Sequence, residues 1–154
     1  MYHKLRAIFF FMSFLAFAAG CGSESEETHA ASATVLDQAW HIESEAVKKE
    51  QGWSLRLTIF NREDEDLNLT FPSAEKVRFI LKDESDNVVF NSSEGQMFTQ
   101  ALEEVQIPSG DSDTWQLETG DLQAEAVHVT AVFKAFQWND KEVDEKVRTL
   151  SFSL

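Results

Sequence analysis

The feature that most constrains this chain is alternation. Trp53, Leu55, Leu57 and Ile59 fall on one face of a segment whose other face carries Ser54, Arg56 and Thr58, the period-two pattern of a strand buried on one side. Leu67, Leu69 and Phe71 repeat it against Asn68 and Thr70 until Pro72, which has no amide proton for a neighbouring strand and so ends the run. Val77, Phe79 and Leu81 alternate with Arg78 and Lys82. The stretch 82–87 is a turn, because Asp83, Ser85, Asp86 and Asn87 can bond their own backbone, and Val88-Val89-Phe90 returns from it as a hairpin. Thr114–Leu117, Val127–Phe133 and Val147–Leu154 complete the regular set.

Two less regular segments, Val35–Ile42 and Glu45–Lys49, bring the count to eight or nine strands with turns every 8 to 12 residues or so, the spacing of an antiparallel, immunoglobulin-like β-sandwich. The chain is therefore expected to be all-β. Helix signals are nearly absent. Only Met97–Val105 has spacing that would suit a helical turn, and a buried loop or short strand fits it equally well. The sequence has 13 Phe and 4 Trp but one cysteine, Cys21, so no disulfide can form within the chain and aromatic packing must hold the two layers together.

The region before these strands is of a different kind. Residues 1–6 carry Lys4 and Arg6, and Ala7–Ala19 is an uncharged apolar run with five Phe. A membrane-crossing helix needs about 20 apolar residues, whereas a secretory core has roughly 7 to 15; the run has the second length. Ala18-Ala19-Gly20-Cys21 resembles the lipobox of bacterial lipoproteins, although Ala18 stands where that motif usually has Leu. The resemblance implies a signal peptide over 1–20 and a diacylglycerol-bearing, acylated Cys21 that anchors the chain on the outer face of a membrane. An ordinary signal peptide with an incidental cysteine is the alternative. Residues 21–34 are small, polar and acidic, and read as a flexible tether carrying a solvated His29; the folded domain is expected over 35–154.

Beyond the leader the chain has 11 basic and 27 acidic residues, a net charge of −16. Phosphate backbones are held by clustered Lys and Arg. Here the basic residues are scattered among acids, so nucleic acid is excluded as a partner. The field favours cationic partners or serves solubility alone.

One stretch goes beyond pattern. Leu57-Thr58-Ile59-Phe60-Asn61, Leu67-Asn68-Leu69-Thr70-Phe71-Pro72-Ser73, Val77-Arg78-Phe79-Ile80-Leu81-Lys82-Asp83, Val88-Val89-Phe90, Met97-Phe98-Thr99-Gln100-Ala101-Leu102 and Ile107-Pro108-Ser109-Gly110, with the strand around Trp115, resemble the BsuPI family, the intracellular proteinase inhibitor domain. The Met97–Leu102 segment is the most specific part, since alternation would not produce it. The resemblance implies an immunoglobulin-like sandwich and a proteinase-inhibiting role. Two departures stand beside it: an exported chain in a family named intracellular, and Gly120-Asp121-Leu122 where the family's Gly-Tyr approach would lie.

Few residues are placed for catalysis. A nucleophile needs an adjacent base, and the domain has only His41 and His128, each read as a surface or hydrogen-bonded histidine. The acidic groups Glu63–Asp66, Asp83–Asp86, Asp111 with Asp113, and Asp140–Glu145 all sit in turns, and solvated turns do not tune carboxylates for acid–base catalysis. Calcium could use such oxygens, but turn chemistry accounts for them without a metal. The expectation is a protein-binding module with no enzymatic activity, cofactor or metal, acting on a serine protease or another envelope protein. The contact loop would be Gln96, Met97, Phe98, Thr99 and Gln100, with Phe98 or Met97 as the apolar anchor. Against that stands the reading in which Met97, Phe98 and Leu102 are core residues, and the function in which the domain only mediates assembly at the cell envelope.

Overall fold

The structure, a computed structural model, describes residues 30–36 and 40–154. The leader 1–20, the expected lipid site Cys21 and tether residues 22–29 lie outside the described residues. The rest is all-β, as expected, with twelve strands and a 3-10 turn at Glu145–Val147: β1 Ala30–Leu36, β2 Trp40–Lys48, β3 Trp53–Asn61, β4 Leu67–Phe71, β5 Val77–Lys82, β6 Val88–Asn91, β7 Glu103–Ile107, β8 Ser112–Glu118, β9 His128–Phe133, β10 Gln137–Trp138, β11 Lys141–Glu142 and β12 Thr149–Ser153. β1 takes in Ala30–Thr34, which the sequence assigned to the tether.

The first layer is the antiparallel sheet β1-β2-β3-β8. The second is built from two sheets, β11-β10-β4-β7 and β12-β9-β5-β6. Their ladders run on from one to the other, because Lys134 N donates to Lys76 O at 2.9 Å and Phe136 N to Thr70 O at 3.0 Å across the break. The sandwich is closed by aromatic rings from both layers. Phe133 meets Trp40 at 5.8 Å, Phe71 edge-on at 5.4 Å and Trp115 at 5.8 Å, and Trp40 also meets Trp138 at 6.4 Å. Around them pack Leu55, Leu57, Ile59, Leu67, Leu69, Phe79 and Leu81, all fully buried.

The strands differ from those expected from sequence in three places, each for a physical reason. β2 is one strand where two were read, because its inward face is Trp40, Ile42, Ser44 and Ala46, and the small residues hide the period. β7 is the second miss. Its alternation of Val105 and Ile107 with Glu104 and Gln106 is too short and too acidic to stand out. β10 and β11 have two residues each, which carry no periodicity at all.

Local chemistry explains the turns that were legible. Asp83 Oδ1 accepts from Ser85 N at 2.8 Å and Asn87 N at 2.9 Å, closing the β5–β6 turn as its composition suggests. The β2–β3 turn depends on Gly52, whose φ of +81° suits glycine and whose missing Cβ leaves room for the carbonyls of Thr119 and Gly120.

Candidate functional site

β6 and β7 are the outer strands of their sheets, and residues 92–102 join them along one edge of the second layer. This connection contains the loop Gln96–Gln100 singled out from sequence. It forms neither a helical turn nor a buried loop: residues 96–102 have no regular structure and β7 begins at Glu103. Met97 is 99% exposed and Leu102 70% exposed, and Phe98 is half-buried without joining the core cluster, so none of the three residues in the core reading belongs to the core.

An exposed connection of this length would usually be mobile, but this one is fastened by three consecutive residues of the β4–β5 link. Ala74 N donates to Thr99 O at 3.1 Å, holding the middle. Lys76 Nζ pairs with Glu103 at the exit. Glu75 holds the entrance. Although only 5% exposed, its carboxylate accepts from Arg78 Nε and Nη2, both at 2.8 Å, and from Ser93 Oγ, while Lys134 Nζ stands 3.8 Å away. Burial pushes the Glu75 carboxyl up, but the hydrogen bonds from Arg78 and Ser93 and the positive charges of Arg78 and Lys134 outweigh it and hold the group below the usual glutamate range. The same bonds, donated by Arg78 to Glu75, raise the Arg78 guanidinium.

The loop backbone is shaped between these points. Ser92 N donates to Phe79 O at 2.9 Å and Gln96 N to Ser93 O at 3.2 Å. Gly95, at φ +71°, supplies the left-handed residue on which the chain turns. Gln100 Nε2 donates to Phe98 O at 3.2 Å. The loop was legible from its residues; the Ala74-Glu75-Lys76 clasp was not. Glu75 falls in the break after Pro72, and nothing in the spacing announces that Ser93 folds back onto it.

The other candidates are not drawn together. His41 Nε2 approaches Glu43 Oε1 at 2.9 Å without hydrogen-bond alignment, and its Nδ1 meets Arg62 Nη2 at 3.2 Å. His128 is exposed on a separate strand, beside Ser153 Oγ at 3.3 Å. No group of three His, Cys, Asp or Glu forms a metal-ligand set among the described residues. The acids of the loops are occupied with turn chemistry instead, as when Asp66 accepts from Gln106 Nε2 at 3.0 Å. A cleft of ≈ 300 Å³ at one end of the sandwich is lined by Lys48, Glu50, Asp121 and Glu125, with Trp53 and Leu122 as its large apolar residues. It does not bring polar groups together around an apolar wall in the manner of a ligand site.

Against this geometry, a family model described as BsuPI, intracellular proteinase inhibitor, matches residues 40–138. The chain belongs to the BsuPI family. The match is wider than the resemblance visible by eye, running from the start of β2 to the end of β10, so it includes both the fastened loop and its clasp. β1, β11, the 3-10 turn and β12 lie outside it, although β12 pairs along its whole length with BsuPI strand β9. No curated protein matches the chain.

Proposed function

We propose that this chain is a lipid-anchored proteinase inhibitor of the cell envelope: residues 1–20 are removed as a signal peptide, Cys21 carries the acyl chains, and the Gln96–Gln100 loop contacts a serine protease on the extracytoplasmic face. The single observation that carries the inhibitory part is an apolar side chain held fully in water on a loop fastened at entrance, middle and exit. A protease contact gains affinity when the loop is ordered before binding, since less entropy is lost on association. Inhibitor families often order such loops with disulfides, and here Ala74, Glu75 and Lys76 take that part. Membership of a family described as proteinase inhibitors supports the same reading. The anchor rests on the leader and lipobox residues.

A second reading has its own support. Val88, on the outer strand β6, is 54% exposed, and an outer strand can accept a partner's strand. In that case the domain mediates assembly at the envelope and inhibits nothing.

Titration of the detergent-solubilised full-length protein against a panel of secreted serine proteases separates the two. Stoichiometric loss of protease activity supports inhibition; unchanged activity across the panel leaves the strand-pairing reading. For the anchor, cells fed an alkyne analogue of palmitate should label the wild type, and Cys21→Ser should lose both the label and the membrane fraction. Labelling that persists in Cys21→Ser would reject the assigned lipid site.

A further inference from the structure

The structure points to Met97 as the residue that enters the protease's specificity pocket, and so to proteases with a deep apolar pocket as the target class; this inference rests on the inhibitor reading above. Sequence alone left both Phe98 and Met97 open as the apolar anchor. Their exposure separates them. Phe98 is half-buried, so moving it into an enzyme would first withdraw it from the protein's own surface. Met97, at 99% exposed, gives up no contact of its own, so the apolar area it buries in a partner is set only against its lost rotamer freedom.

The backbone around Met97 suits the same role. It lies between two pins, Gln96 N to Ser93 O just before it and Ala74 N to Thr99 O just after it. Every residue with positive φ among the described ones lies outside 96–102: the glycines at 52, 95 and 110, and Asp86, Asn139 and Asp140. The segment therefore contains no left-handed residue, which an extended peptide taken up along a cleft also lacks. Methionine itself narrows the choice of pocket. It is unbranched, uncharged and adaptable, which fits an apolar slot and is a poor match for a pocket with a carboxylate at its base, built for Lys or Arg.

The test compares full-length wild type with Met97→Ala, Met97→Asp and Met97→Lys against a subtilisin-type protease and trypsin. Tryptophan fluorescence confirms that each variant is folded, and a residue exposed to this degree leaves the fold intact. Wild type is expected to inhibit the subtilisin-type enzyme well and trypsin poorly. Met97→Ala should weaken the first by about 10-fold or more, as loss of a buried Met side chain implies, and Met97→Asp by about 100-fold or more. Met97→Lys should transfer inhibition to trypsin. If wild type inhibits and Met97→Asp stays within about twofold of it, Met97 is not the pocket residue while the inhibitor reading stands. If wild type inhibits neither enzyme, the assignment of Met97 to an apolar pocket fails, and the inhibitor reading fails with it only if no protease of the panel is inhibited.

Discussion

At the scale of single residues, Glu75 has the largest structural consequence. A buried carboxylate with two guanidinium bonds, a serine donor and a lysine nearby is costly to break, because removing one partner leaves opposite charge stranded. Glu75→Ala should cost about 3 kcal/mol in denaturant unfolding. The pH dependence follows from the lowered pKa. The folded protein holds the ionised form more tightly than the unfolded chain does, so the contribution is fully present above the ordinary glutamate range and is lost as pH falls through the lowered value. An acid titration of stability should therefore lose less in Glu75→Gln than in wild type, and a wild-type loss equal to the mutant's would overturn this account. This residue was illegible in the sequence, because its partners come from β5, from the β6–β7 connection and from Lys134 just past β9. Met97 was legible as a residue, from the resemblance, while its exposure was not.

Among the elements, strands with large inward residues announced themselves and strands with small or acidic ones did not. β3 and β5 were plain in the alternation of Trp53–Ile59 and Val77–Leu81. β2 was broken in two by Ser44 and Ala46, and β7 was concealed by Glu103 and Glu104. The connection between β6 and β7 should behave as a fastened element rather than a free loop. In amide exchange, Ala74 N, bonded to Thr99 O, should be protected well beyond the amide of Glu84, exposed in the β5–β6 turn; exchange of Ala74 as fast as Glu84 would mean the clasp is open in solution. The β2–β3 turn makes an independent prediction. Gly52→Ala must place a Cβ against the carbonyls of Thr119 and Gly120 at a positive φ, and we expect a loss of about 2 kcal/mol or more in a urea melt, against a few tenths for Gly120→Ala, where the space is open.

Across the whole molecule, stability converges on the rings around Phe133. That side chain touches Trp40, Phe71 and Trp115, so Phe133→Ala should cost about 4 kcal/mol, a large part of the 5 to 15 kcal/mol or so that holds a typical domain. Fluorescence and circular dichroism should fall together in that melt, and separate transitions for the two would show that the layers fold independently. The sandwich itself was legible because many short amphipathic strands have few other ways to bury one face each. The merging of two smaller sheets into its second layer was not, since it depends on ladder bonds from Lys134 and Phe136 that no local pattern encodes.

The same ring cluster bears on where such a fold can work. Sandwiches cross-braced by a cysteine pair depend on an oxidising compartment, because the thiol buffers of a cytosol keep that brace open. Interlocking Trp and Phe side chains have no such dependence: the two layers close on one another whatever the surrounding redox poise, and the unfolding midpoint should be the same with and without a strong reductant. The core of such a domain would therefore be held in the same way on either side of a membrane.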